Sequence, residues 1–226
     1  MKKLYLTTIL AIVSLCVSAQ RGGRSVECFD YDWQFHLTME KGAEQQAGPK
    51  LQEAVSGWET VQLPHDWSIH MIPDSRLTGC NGHLRGGVGE YKKTFSVPAS
   101  DKGKAVSVIF DGIYNRSDVY INGHHLGFRP YGFVQIEYDL TPYLNKGGDN
   151  VLAVRVDHSR YADSRWYTGS GIYRDVYLVA APEVHLSQWG VAYRVTKLTD
   201  RSATIEVDVA VDNHTAQPQK VQARIT

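Results

Sequence analysis

Apolar and polar residues alternate along much of this chain with the two-residue period of β-strands, and helical periodicity is nearly absent after residue 19. Val106-Ser107-Val108-Ile109-Phe110 predicts a buried strand. Residues 118–121 predict another, followed by Asn122-Gly123, the strongest hairpin signal present because a type I′ turn needs positive φ at both central positions. Residues 134–138 lead into Asp139-Leu140-Thr141-Pro142-Tyr143-Leu144. There Thr141 is expected to N-cap one helical turn with Pro142 at its first position, ended by Gly147-Gly148. Residues 151–156 predict a strand with Leu152, Val154 and Val156 on its apolar face and Val151, Ala153 and Arg155 opposite. Arg165-Trp166-Tyr167-Thr168-Gly169-Ser170-Gly171 reads as a polar-aromatic loop running into a strand weighted by Ile172, Val176 and Leu178. Its glycines permit turns that other residues avoid, which would fix the Trp166 ring and the Arg165 guanidinium at a sheet end.

A boundary is expected at Ala180-Ala181-Pro182. Beyond it, residues 184–186 and 189–195 read as two strands, and 203–211 alternate strictly, one face apolar and the other largely polar. Asp212-Asn213-His214 would turn the chain, and residues 221–225 would start one more strand. A sandwich of the immunoglobulin type takes about 100 residues. Half of one exposes an apolar face and open edges, so residues 182–226 are expected to be an incomplete domain.

Composition narrows the function classes. Residues 1–19 have the three-part form of a secretory signal: Lys2 and Lys3, an apolar run over 4–17, then Val17-Ser18-Ala19. Cleavage would leave Gln20 first and direct the protein to the periplasm or the exterior. A lipoprotein reading at Cys16 is poor because Leu15 precedes it. Of 24 basic residues the signal removes two, leaving 22 against 24 acidic and a charge near −2. Nothing electrostatic points to nucleic acid or an anionic membrane, and no further segment is long and apolar enough for a membrane span. Only Cys28 and Cys80 remain in the mature chain, either as a disulfide or as free, buried thiols. No Cys or His spacing matches a zinc site, and no cofactor is expected.

Several segments together carry a resemblance. Val61-Gln62-Leu63-Pro64-His65-Asp66-Trp67 comes first, then the glycine turn and strand Gly86-Gly87-Val88-Gly89-Glu90-Tyr91-Lys92-Lys93-Thr94-Phe95. Phe110-Asp111-Gly112-Ile113-Tyr114 and Val119-Tyr120-Ile121-Asn122-Gly123 follow, then Asn150-Val151-Leu152-Ala153-Val154-Arg155-Val156 and the loop and strand over 165–179. Across about residues 30 to 180, and in this order, they resemble the sugar-binding domain of glycoside hydrolase family 2, the β-galactosidase and β-glucuronidase family. After the signal peptide read at 1–19, the resemblance implies an all-β chain: a jelly-roll, galactose-binding-like sandwich (20–181) and a truncated immunoglobulin-like sandwich (182–226). It further implies a (β/α)₈ barrel, absent from this chain, that hydrolyses β-glycosides with retention through two carboxylates. No residue here inherits a catalytic role. Substrate contact is what carries over: Asp163 is the nearest acidic match in the loop, with Ser164 left open by an extra residue in Tyr167-Thr168-Gly169. Arg165 and Trp166 stand beside it, and Asn81 in Gly79-Cys80-Asn81-Gly82-His83 is a second polar contact. The implied partners are a carbohydrate and the remainder of the chain's own protein; a homo-oligomer is left open.

Each signal has a plainer reading. Asp163 and Arg165 could be a local ion pair worth under about 1 kcal/mol. Trp166 is expected to pack at a core or rim rather than line a sugar site, and Arg174 to hold neighbouring backbone or carboxylate groups. His65-Asp66 is not a catalytic dyad, since adjacent residues on an extended segment point to opposite faces; His124-His125 fails as a metal pair for the same reason. Glu206 and Asp208 lie about 7 Å apart on one strand face and read as solvated. The sequons Asn115-Arg116-Ser117 and Asn213-His214-Thr215 imply little. The leading function is a secreted, β-galactosidase-like family 2 hydrolase, with β-glucuronidase and β-mannosidase as alternatives; Asp163 leans towards a neutral sugar because it would repel a uronate. A stand-alone carbohydrate-binding module and a purely structural domain are the rivals, and the lack of an obvious aromatic platform favours the structural one.

Overall fold

The computed structural model describes residues 23–41, 43, 46–160, 166–222 and 224. The described residues fall into two compact units: those within 26–99 and 106–179, and those within 180–224 together with 23–25 and 100–105. The first holds two sheets. In chain order the strands are β1 (Ser25–Cys28), β2 (Trp33–Thr38), β3 (Glu59–Val61), β4 (Val88–Ser96), β5 (Ala105–Phe110) and β6 (Ser117–Ile121). Then come β7 (His124–Arg129), β8 (Ile136–Asp139), β9 (Asp149–Asp157) and β10 (Val176–Ala181). One sheet runs β1-β10-β5-β8, the other β3-β2-β4-β9-β6-β7. Both are open, as in an all-β sandwich.

Alternation accounts for the core. β2 reads Trp-Gln-Phe-His-Leu-Thr and buries Trp33, Phe35 and Leu37 completely. Across β4, Phe35 lies 4.7 Å from Tyr91, ring centre to ring centre, and 5.6 Å from Trp67 in a stacked pair. Burying each such side chain contributes about 1.5–3 kcal/mol. β9 buries Leu152, Val154 and Val156 and leaves Val151 exposed, as its period requires. The Asn-Gly hairpin forms with Ile121 opposite His124, Asn122 at φ 50° and Gly123 at φ 83°. The Asn122 side chain also serves the next strand, accepting from Val151 N at 2.8 Å and donating to Asn150 Oδ1 at 2.8 Å.

Several local expectations are corrected. Thr141 is not an N-cap: a 3₁₀ turn spans Thr141–Tyr143 behind Leu140, and the Thr141 hydroxyl instead accepts from Val106 N at 2.8 Å on β5. Leu144 is already extended, so the turn ends before Gly147. A five-residue helix, α1 (Gln52–Ser56), has no helical periodicity to announce it; it follows the 3₁₀ turn Pro49–Leu51 and buries Leu51 and Ala54. The strand weighted by Ile172 begins only at Val176, although Ile172 is fully buried. Arg174 is exposed, and among the described residues its side chain makes no hydrogen bond to backbone or carboxylate.

The second unit is described by itself. β11 (Val184–Leu198) and β12 (Ala203–Asn213) form one antiparallel ribbon. The two strands expected over 184–195 are a single strand with a bulge between Leu186 and Val191, where Trp189 takes φ 53°. Val191, Tyr193 and Val195 pair with Val209, Val207 and Ile205, which places these apolar side chains on one face. On the other, Arg194 bridges Glu206 at 2.6 Å and Asp208 at 3.3 Å, the solvated face expected of them. β12 continues through the turn expected at Asp212-Asn213, and Val221, Gln222 and Arg224 form no strand.

Candidate functional site

The site is assembled where the segment at His65-Asp66-Trp67 lies beside Ser170-Gly171-Ile172. His65 N donates to Ile172 O at 2.8 Å, Trp67 N to Ser170 O at 3.2 Å, and Gly171 and Tyr114 exchange both backbone bonds at 2.9 Å. Only glycine suits position 171: φ is 118°, and a Cβ would sit 2.3 Å from Tyr91 Oη and 2.7 Å from His65 O. Gly169, at φ 74°, brings the loop backbone against the Asp66 carboxylate.

Asp66 is the clamp. Its Oδ1 accepts from Ser68 N at 2.9 Å and from Ser170 N at 2.8 Å, and its Oδ2 from the Tyr167 hydroxyl. Burial, together with the hydrogen bond and charge of Asp66, pushes the Tyr167 phenol well above its ordinary range, so it stays a donor. Behind the loop, buried Ser170 shares its hydroxyl with Ser68 Oγ and with His158 Nδ1 at 2.5 Å. His65 faces away from Asp66, to the Tyr91 hydroxyl at 2.8 Å. Burial, helped by the charge of His70, pushes His65 down to about 4, so it is neutral at pH 7. Sequence reasoning excluded a His65-Asp66 dyad correctly but missed the clamp.

Asn81 ends the 3₁₀ turn Gly79–Asn81, capped by the Thr78 hydroxyl accepting from Cys80 N and closed by Gly82 at φ 64°. It is only 8% exposed, and its amide oxygen has no hydrogen-bond partner among the described residues. Asn81 lines two cavities, together with Leu84, Arg85 and Gly86. One, of about 620 Å³, is walled by Leu77, Leu84 and Val88, with Thr38, Glu40, Arg76, Arg85, Ser159 and Arg160 around them. That volume is in the range of small-molecule sites, about 300–1,000 Å³. The other, of about 10 Å³, is bounded by Ser68, His158 and Tyr167 and is at most one water in size. A buried carbonyl oxygen left unpaired costs roughly 1–3 kcal/mol, which a hydroxyl or N–H of a ligand would recover.

Of the other residues singled out from the sequence, Asp163 and Arg165 lie outside the described residues. Trp166 is 77% exposed, against the expectation that it packs. The thiols of Cys28 and Cys80 are free and exposed rather than buried, and Asn115 of the first sequon is buried. Phe128, Tyr131 and Phe133 are half-exposed, and Phe133 lies 5.1 Å from Tyr114, tilted, and 5.6 Å from Tyr131, edge-on. His124 stacks on Tyr143 while His125 bonds Asp118 at 2.9 Å, so the two histidines have separate partners. Among the described residues no three His, Cys, Asp or Glu side chains are grouped to hold a metal ion, and no helix is long and apolar enough to cross a membrane.

An all-β sandwich whose loops gather at a polar-edged cavity is a ligand-binding architecture, and its family follows from comparison. The chain belongs to the glycosyl hydrolases of family 2, through the sugar binding domain, which matches residues 26–182. It is 40% identical over 200 residues to the β-galactosidase BoGH2A of Bacteroides ovatus, covering 85% of this chain and 22% of that protein. A β-glucuronidase of Formosa agariphila is 29% identical over 222 residues, covering 88% of this chain and 22% of that one. Among solved structures, a β-glycosidase from Bacteroides vulgatus superposes with a TM-score of 0.71 at 39% identity, over 85% of this chain and 25% of its own. The chain therefore spans about a quarter or less of the length of these relatives.

Proposed function

We propose that this chain is the leading, sugar-contacting part of an exported family 2 glycoside hydrolase that releases terminal β-linked sugars with retention, β-galactosides first among them. The observation that carries the reading is the buried, unpartnered amide oxygen of Asn81 at the edge of a cavity of about 620 Å³. A sugar hydroxyl is a donor of the right kind for it. In sequence, Asp163, Arg165 and Trp166 immediately precede Tyr167 and Ser170, which Asp66 holds. They are the further contacts this reading assigns, with Trp166 offering its face to the C–H face of a sugar. Retaining hydrolysis needs an acid/base and a nucleophile about 5–5.5 Å apart; both are assigned to a barrel in the longer protein, and none to this chain.

The β-galactosidase name of the Bacteroides ovatus relative supports the substrate, and the Formosa β-glucuronidase supports the alternative. Residues 1–19 are assigned as the export signal, 20–181 as the jelly roll and 182–226 as part of an immunoglobulin-like domain, a division close to the boundary at Ala180. A binding module without hydrolysis is the second reading, and the half-exposed rings of Tyr131 and Phe133 give it a surface. The test is hydrolysis of nitrophenyl β-galactoside, β-glucuronide and β-mannoside by the full-length protein. Cleavage of the galactoside, with the β-anomer appearing first by NMR, is expected. Preferential cleavage of the glucuronide selects the alternative, and no cleavage of any overturns the hydrolase reading.

A further inference from the structure

Asp66 does more than cap a turn. As N-cap of the 3₁₀ turn Trp67–His70 it needs one bond, the one its Oδ1 accepts from Ser68 N at 2.9 Å. It accepts two more from residues 101 and 104 positions downstream: the Tyr167 hydroxyl on Oδ2, and Ser170 N on Oδ1 at 2.8 Å. Among the described residues no cation pairs with Asp66, so its charge is met by these three neutral donors. A hydrogen bond to an ionised acceptor is roughly twice as strong as a neutral one. Tyr167 follows directly on Trp166, which is 77% exposed. Tyr167, Thr168 and Gly169 also line the cavity of about 10 Å³ that Asn81 lines, so the clamped loop and Asn81 border one gap the size of a water.

We infer that Asp66 and Tyr167 are positioning residues for sugar binding: the carboxylate tethers the loop through the Tyr167 hydroxyl, and the tether fixes where the neighbouring Trp166 ring stands. An exposed ring on an untethered loop loses conformational freedom when a ligand orders it, and a tether removes part of that cost beforehand. The inference deepens the carbohydrate reading above and rests on it, because Trp166 is a sugar contact only in that reading. A plain capping role for Asp66 predicts a loss of stability and nothing else.

The test is steady-state kinetics on the full-length protein, well below its melting temperature, with whichever nitrophenyl β-glycoside the wild type cleaves fastest. Tyr167→Phe deletes the oxygen of the tether and keeps the ring. KM should rise about three- to tenfold while kcat stays within about twofold, the mark of lost binding common to ground and transition states. Asp66→Asn should be milder than Asp66→Ala. Its amide oxygen still accepts from Ser68 N and Ser170 N, and its amide nitrogen can donate to the Tyr167 oxygen. Trp166→Ala should also raise KM, and adding Tyr167→Phe to it should change KM by less than about twofold, because the tether then has no ring to place. An unchanged KM in Tyr167→Phe, or KM factors that multiply in the double variant, overturns the inference, while cleavage by the wild type leaves the glycosidase reading intact. A lower melting temperature with unaltered kinetics overturns it too, and assigns both residues to the fold alone. No cleavage of any β-glycoside by the wild type defeats the inference and the reading beneath it.

Discussion

β9 in the sandwich and β12 in the ribbon are written in the same two-residue pattern, yet their apolar faces meet different fates. Leu152 on β9 is fully buried, while Ile205 on β12 is 56% exposed. Their partners explain the difference. Leu152 lies in a strand paired on both sides, to β4 and β6, within a sheet that shares the aromatic core. Ile205 is paired only to β11, in a two-stranded ribbon. Alternation thus specifies a strand and its apolar side; what covers that side is decided by elements far away in sequence. A two-stranded ribbon by itself is marginal in water, so the two units should respond to mutation on different scales.

The widest separation is expected from a pair of truncations. Phe35→Ala removes a fully buried ring packed on Trp67 and Tyr91 and should cost about 3–5 kcal/mol. In the 226-residue chain by itself, Ile205→Ser on the exposed ribbon face should stay within about 0.5 kcal/mol. Urea unfolding followed by tryptophan fluorescence measures both, and similar costs would break the comparison.

Acid provides the next test. His65 is pushed down to about 4 from an ordinary 6.5, so the folded state resists a proton that the unfolded state accepts. Its contribution is whole above pH 6.5 and is lost as pH falls to 4, roughly 3 kcal/mol in all. Stability measured across that window should drop in the wild type and flatten in His65→Gln, a difference centred on the sandwich.

Glycines sharpen the contrast within the sandwich itself. Gly171 and Gly123 both take positive φ, but a Cβ at 171 meets Tyr91 and His65 while one at 123 meets open space. Gly123→Ala should cost about 1 kcal/mol. Gly171→Ala should cost about 1–3 kcal/mol more, the added steric part. Equal losses by thermal unfolding would contradict the close approach.

What was legible in the sequence follows the same divide. Period-two runs and the Asn122-Gly123 turn announce β5, β6, β7, β9 and β12 because those signals are local. Thr141 misleads because its hydroxyl is used by Val106, 35 residues away, and not by its own turn. The Asp66 clamp could not be read from one sequence, since its loop partners Tyr167 and Ser170 lie 101 and 104 residues downstream. Asn81 came into view only through family resemblance; nothing in Gly79-Cys80-Asn81-Gly82-His83 announces a buried oxygen left unpaired.

The central claim is that Asn81 is kept for a ligand and not for the fold. The measurement that bears on it most directly is kcat/KM for β-galactoside hydrolysis, taken with the melting temperature, for full-length Asn81→Ala. Removing a buried acceptor that pairs with nothing should leave the melting temperature unchanged or slightly raised, while kcat/KM falls about ten- to a hundredfold through the lost hydrogen bond. A protein that melts earlier yet hydrolyses normally would contradict the account, because Asn81 would then be part of the scaffold.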